Sequence, residues 1–420
     1  MPVRVRDEVV VMRRTLFPFS LRQFLTILAL AALLVSTAWA KPKFKILHAV
    51  PGGLFGGVTR DAKGNLYGGT SGGGDYNHGT IFQLTRGAHG WSLTTLHSFD
   101  GYDGGSPNGG LIFDAAGNLY GTSPSGGAYN AGNIFEMSPG AGNWTFDVLY
   151  DFCFQYHCPD GGYPTGLTAD ALGNLYGGAG GGAYGDGVIF ELMHSAIEGG
   201  WNELVLYDFG WKSGSGPDSP LTFDASGNLY GATFRGAAYG GGAIFTLQRA
   251  SGGNWKQHVL YNFCSAGPPF CKDGVAPYAG VVLDDLGNLY GTTTQGGGNK
   301  CGETTCGTVF RLTRMQGGHW KHTVLYAFPN PEDGSFPTGG VTIDSKGNLY
   351  GATVAGGIGR CPGGCGVAYK LGPDANGKWK YTILHKFDGS DGAQPLGGLI
   401  RDKKGNIYGT AYNVVFEITP

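Results

Sequence analysis

Five carboxylates recur in a single string. Asp103, Asp160, Asp273, Asp333 and Asp391 each open a D-G-x-x-P motif, and five acidic side chains gathered around one axis could hold a hard cation such as calcium, which takes oxygen ligands. Asp-Gly followed by Pro is also ordinary turn chemistry, so the string reads first as a turn and only second as a metal site. The eight cysteines fall in close pairs: Cys153 with Cys158, Cys264 with Cys271, Cys301 with Cys306, and Cys361 with Cys365. An even count in an exported chain reads as local disulfides. A four-thiolate zinc site from Cys301, Cys306, Cys361 and Cys365 is the competing chemistry, but its spacings lack the C-x-x-C form.

One connection carries Gly210-Trp211-Lys212-Ser213 where the others carry D-G-x-x-P. Residues needed only to build a repeat should recur in each copy, so a large aromatic that appears once points to a ligand. Trp211 is therefore the first candidate ligand-binding residue, joined by Tyr156, His157 and Arg235, which also stand outside the repeat pattern. The alternative for Trp211 is packing over a gap left by the missing turn. Catalytic strings are absent: there is no G-x-S-x-G, no H-E-x-x-H and no G-x-x-x-x-G-K. His48, His97 and His385 stand where other copies have Tyr, while His258 and His322 belong to strands, which leaves His78 or His157 with a loop Asp as the available acid–base pair. No residue set points to a cofactor.

These residues hang on a repeat. The string G-N-[LI]-Y-G begins at Gly64, Gly117, Gly173, Gly227, Gly287, Gly347 and Gly405, a period that marks a solenoid or propeller. Four β-like segments surround each copy, for example Gly110 to Asp114, Asn118 to Thr122, Gly132 to Glu136, and Trp144 to Phe152. In the fourth, Trp144, Phe146, Val148, Tyr150 and Phe152 alternate as though on one face. Four strands make a blade, and seven blades make an all-β propeller. The last repeat stops after three strands, and Phe44, Ile46, His48 and Val50 carry the fourth-strand pattern ahead of the first repeat. The ring should therefore close through the N-terminal strand, leaving no unpaired edge. An open β-solenoid gives no reason for that permutation.

Two repeated features read as structure. Asp precedes the glycine of each core string by three residues, from Asp61 to Asp402, as a hairpin device. Trp91, Trp144, Trp201, Trp255, Trp320 and Trp379 open the fourth strands at equivalent places and should pack between blades.

The string L-Y-G-[TA]-x, then a Gly-Gly-rich loop and G-x-[IV]-F, as in Leu119-Tyr120-Gly121-Thr122 to Ile134-Phe135, is similar to the GloVer tandem-repeat family of exported bacterial proteins. The resemblance covers residues 41–420 and implies export and repeat architecture. That family is defined by its repeats and by varied C-terminal anchors, without an established activity, and no such anchor is recognisable here. The D-x-x-G-N-L-Y portion also resembles turns of lactonase-like and lyase-like propellers.

Residues 1–40 read as a signal peptide, with translation starting at Met1 or Met12: Arg13, Arg14 and Arg22 precede an apolar run from Phe24 to Val35, and Ala38 and Ala40 supply the cleavage site. Residues 41–420 would then be a single propeller released to the periplasm or the medium, with no membrane attachment after cleavage. A net charge of -2, with only 14% charged residues, gives no field for nucleic acid. The expected function is a secreted or surface-associated binding module for carbohydrate or another extracellular polymer or cell-surface component. The alternative is a propeller lyase or hydrolase acting on a polysaccharide or lactone.

Overall fold

A computed structural model describes residues 41–420, apart from Gly109, residues 196–199, Ser251, Ala266, residues 268–270, Asn299 and residues 302–303, and the side chains of residues 300, 301 and 304. The leader assigned to residues 1–40 lies outside the described residues.

Local chemistry makes the first hairpin of every blade. In blade 1, strands Thr59–Arg60 and Leu66–Thr70 are joined by a turn in which Asp61 Oδ1 accepts from the Asn65 amide at 2.8 Å. Asp61 Oδ2 accepts from Asn65 Nδ2 at 2.8 Å and from the Tyr67 hydroxyl at 3.2 Å. Gly64 sits at φ 93°, where a side chain would be strained. The same Asp–Asn–Tyr set recurs in each blade through Asp402, Asn406 and Tyr408. The sequence row of aspartates is thus a row of turns.

The second strand is buried throughout, and its glycine makes room for the third strand's aromatic. A Cβ on Gly121 would stand 2.5 Å from the Phe135 ring, and one on Gly291 would stand 2.7 Å from Phe310. Tyr369 fills the corresponding place in blade 6 against Gly351. Blade 1 continues through Thr80–Gly87 and Gly90–Ser98, and six sheets show this four-stranded antiparallel order.

The seventh blade closes the ring. Ile400–Arg401 supplies its first strand, Ile407–Thr419 its second and third, and Lys43–Leu54 its fourth. Phe44 pairs with Ile418, Ile46 with Phe416 and Ala49 with Val414. The protein is therefore an all-β propeller of seven blades, joined end to end by strand pairing. Between blades, the tryptophans that open the fourth strands pack on the tyrosine of the preceding blade, as Trp144 does on Tyr67 at 5.8 Å and Trp201 on Tyr120 at 6.3 Å.

The unbroken alternation expected along the fourth strand does not hold. Ile134 pairs with Tyr150 and Phe135 with Val148, so a bulge at Leu149 breaks the alternation; Val148 turns outward and Leu149 is half buried. The other blades carry the same irregularity. A bulge adds twist to an outer strand and re-aims the residues after it, here the Tyr or His that reaches the loops.

Candidate functional site

The D-G-x-x-P loops run from each fourth strand to the next first strand. Their aspartates are tied to their own blades: Asp103 and Asp391 take the imidazoles of His97 and His385, each at 2.7 Å, and Asp160 and Asp273 take the hydroxyls of Tyr150 and Tyr261, each at 2.8 Å. At Asp333 the main-chain carbonyl accepts from Tyr381 at 2.5 Å. Four of the five carboxylates thus hold loops to strands one by one, and among the described residues no group of three or more His, Cys, Asp or Glu stands close enough together to hold a metal ion.

The loops of Asp103, Asp160, Asp273 and Asp333, and the connection that carries Trp211, each pair with the loop between the second and third strands of the following blade, through Gly105 with Ser125, Gly162 with Gly180, Val275 with Gln295, Ser335 with Ala355 and Ser215 with Arg235. The two sets of loops therefore share one face. Three disulfides lie on it, Cys153–Cys158, Cys264–Cys271 and Cys361–Cys365; the side chain of Cys301, proposed as the partner of Cys306, lies outside the described residues.

Trp211 belongs to a loop of ordinary course. Its carbonyl accepts from the Ala237 amide at 2.7 Å, as the carbonyls of Gly101, Cys158, Cys271 and Pro331 accept from Gly127, Gly182, Gly297 and Gly357. Ser213 takes the place of the aspartate, and the chain then follows the same path to Pro217. No turn is missing for Trp211 to cover, and its side chain is 54% exposed. Arg235 occupies the repeated bridge position opposite Ser215, so only its side chain is unusual. It lies 5.1 Å from the centre of the Phe234 ring, and Phe234 meets Tyr278 edge-on at 5.6 Å. Burial pushes the nearby Asp218 carboxyl up, and the charge of Arg235 works against that rise.

Tyr156 and His157 sit on another connection, inside the loop closed by Cys153–Cys158. Their rings meet at 3.9 Å, and His157 is held at φ 68°. The four candidates thus share a face but form two separate groups, one on the loops of blade 4 and one between blades 2 and 3.

A further feature of the face is a repeated one. Tyr76, Tyr129, Tyr184 and Tyr239 occupy one position in the second-to-third-strand loops of blades 1 to 4, and their exposures run from 47% to 72%. The loops are pinned from below. The Ala128 amide donates to Asp151 at 3.0 Å, Ala183 to Asp208 at 3.0 Å and Ala238 to Asn262 at 3.2 Å, while Asn77 accepts from Gly73 at 3.0 Å in blade 1. Hydrogen-bonded backbone thus presents an arc of exposed phenols. A search restricted to residues that break the repeat could not find them, although the string G-[GA]-x-Y-[NG] marks all four.

The chain was compared with known proteins. No curated protein matches it. Among solved structures it resembles streptogramin B lyase, at 15% identity and a TM-score of 0.55, over 91% of this chain and 99% of that one. It also resembles PorZ, a surface component of the type-IX secretion system of Porphyromonas gingivalis, at 12% identity and a TM-score of 0.51, over 87% of this chain and 46% of that one. An extracellular domain described as part of a one-component system from B. thetaiotaomicron matches at 11% identity and a TM-score of 0.52, over 89% and 39% respectively. At such identities the likeness concerns the fold alone. The family model for the Gloeobacter/Verrucomicrobia repeat matches residues 40–198 and 179–415, and with nearly the whole ring accounted for by that repeat, the chain belongs to the Gloeobacter/Verrucomicrobia repeat family.

Proposed function

We propose that this propeller is an exported binding module whose disulfide-bearing loop face takes a hydroxylated extracellular polymer such as a polysaccharide. One observation carries the reading: among the described residues, every exposed Phe, Tyr or Trp ring lies on the loops of that face, from Phe55 and Tyr76 to Tyr278 and Tyr412, while the exposed large hydrophobic side chains of the opposite turns, Leu172, Leu286 and Met315, are aliphatic or thioether. Flat amphipathic rings with hydroxyl tips suit sugar faces and sugar hydroxyls together. An arc that repeats blade by blade also suits a ligand that repeats, because each added subsite raises avidity without new chemistry. The disulfides fit an oxidising compartment.

The test is a polysaccharide and glycan array probed with the purified protein, with product analysis of any hit. Retention by a polymer left unchanged in length supports the reading. Cleavage of the bound polymer, or binding to none, contradicts it.

A further inference from the structure

The residue two places after each fourth-strand tryptophan fills a slot between blades. Phe146 stacks on His97 at 3.8 Å, His322 on Tyr261 at 4.3 Å, Tyr381 on Tyr326 at 4.3 Å, and Phe44, in the closing strand, on His385 at 3.7 Å. Three blades depart from this: blade 1 carries Leu93, blade 4 carries Gln257, and blade 3 carries an acid. The blade 3 slot holds Glu203, facing Tyr150 of blade 2, and a cleft of about 350 Å³ opens there, lined by Phe154, Gln155, Trp201 and Asn202 together with Tyr150, Asp160 and Glu203.

The polar groups in this slot are left short of donors. In blades 4 and 6 the slot residue donates to the carbonyl of the loop residue beside it: Gln257 Nε2 to Ser213 at 3.3 Å, and the Tyr381 hydroxyl to Asp333 at 2.5 Å. An ionised Glu203 can only accept. Its Oε1 is buried without a partner, and Asp160, 8% exposed, uses Oδ2 for Tyr150 and Cys153 while its buried Oδ1 has none. Buried acceptors without donors are costly. The titratable groups lining the cleft are Asp160, Glu203 and Tyr150, with no Lys or Arg among them.

We propose that this cleft binds a primary alkylammonium group, of the kind carried by a lysine side chain or an amino sugar, with the ammonium between Glu203 and Asp160 and its carbon skeleton against Phe154 and Trp201. An ammonium brings three donors and no acceptor, which is what the two bare oxygens lack, and aromatic walls favour a cation. The site lies beside the tyrosine arc but uses none of its residues, so this inference stands independently of the polymer reading.

Desolvation, with the charge of Asp160 second, pushes the Glu203 carboxyl up to about 7. Ammonium binding should therefore displace a proton from Glu203 near neutrality and tighten as pH rises from 6 to 8.

The experiment is calorimetric titration of the purified protein with 1,5-diaminopentane at pH 6, 7 and 8, in buffers of different ionisation enthalpy. 1,5-Pentanediol and calcium chloride serve as controls. The proposal expects saturable diamine binding with proton release near pH 7, and at least about tenfold weaker, pH-independent binding by Glu203→Gln. Glu203→Gln keeps the side-chain shape and supplies the donor that Gln257 supplies next door, so it should fold. Equal binding of the diol, binding of calcium in place of the diamine, no diamine binding, or an unaltered titration in Glu203→Gln would each overturn it.

Discussion

Phe44 lies flat on His385, ring centroids 3.7 Å apart and planes 6° from parallel, and meets Phe387 edge-on at 5.7 Å. Residues more than three hundred positions apart thus form the seam between blades 6 and 7, and the strand Lys43–Leu54 completes the last blade. Phe44→Ala should cost about 2 kcal/mol, since the ring is half buried and stacked on two sides. Urea denaturation checks this. A change below about 0.5 kcal/mol would mean that the N-terminal strand contributes little to closure.

His322 gives the fold a specific acid sensitivity. Burial holds its imidazole down to about 4, while the charge of Asp273 pulls the other way. Between about 6.5, the unfolded value, and about 4, the unfolded chain binds more protons than the native one, so the stability from keeping this ring neutral is present above pH 6.5 and lost as pH falls towards 4. We expect a loss of about 2 kcal/mol across that window, discounted for partial exposure. His322→Phe, which copies the slot residue of blade 2, should keep the stack on Tyr261 and flatten the pH profile of the thermal midpoint. An unchanged profile would place the sensitivity elsewhere.

Tyr369 stands where most blades have Phe, and its buried hydroxyl has no hydrogen-bond partner among the described residues. Tyr369→Phe should therefore stabilise the protein by about 1 kcal/mol. A loss of stability on this substitution would show that the hydroxyl is satisfied in solution.

The Cys153–Cys158 loop holds Cys153, His157 and Cys158 at positive φ of 66°, 68° and 47°. Replacing both cysteines by serine should change global stability by at most about 2 kcal/mol, because the closed loop is short. Proteolysis between residues 153 and 160 should become markedly faster. If the midpoint collapses instead, the disulfide is a support of the ring and not of one loop.

The ring itself was legible in the sequence. Seven G-N-[LI]-Y-G strings set the blade count, and the fourth-strand pattern at Phe44 to Val50 set the closure, because a blade needs the same residues wherever it occurs. The fourth-strand bulge was not legible, since Val148 and Leu149 are both apolar and only pairing distinguishes them. The site was read through asymmetry, which located Trp211 and Arg235 but discounted any repeated residue. That rule fails for Tyr76, Tyr129, Tyr184 and Tyr239, whose repetition is compatible with exposure. It also passed over Glu203, whose singularity appears only once the slot it occupies is known to hold stacked rings in blades 2, 5, 6 and 7.

The central claim is that the tyrosine arc binds polymer, and co-sedimentation with insoluble polysaccharides, backed by affinity gels for soluble ones, tests it most directly. The wild type would be compared with a variant carrying Tyr76→Ala, Tyr129→Ala, Tyr184→Ala and Tyr239→Ala, and with a control carrying Leu172→Ala and Leu286→Ala on the opposite turns. All six side chains are exposed, so thermal midpoints should agree closely. We predict that the wild type and the control are retained alike and that the tyrosine variant binds at least about a hundredfold more weakly, the combined effect expected when several aromatic anchors are lost. Equal retention of the tyrosine variant and the wild type would contradict the account.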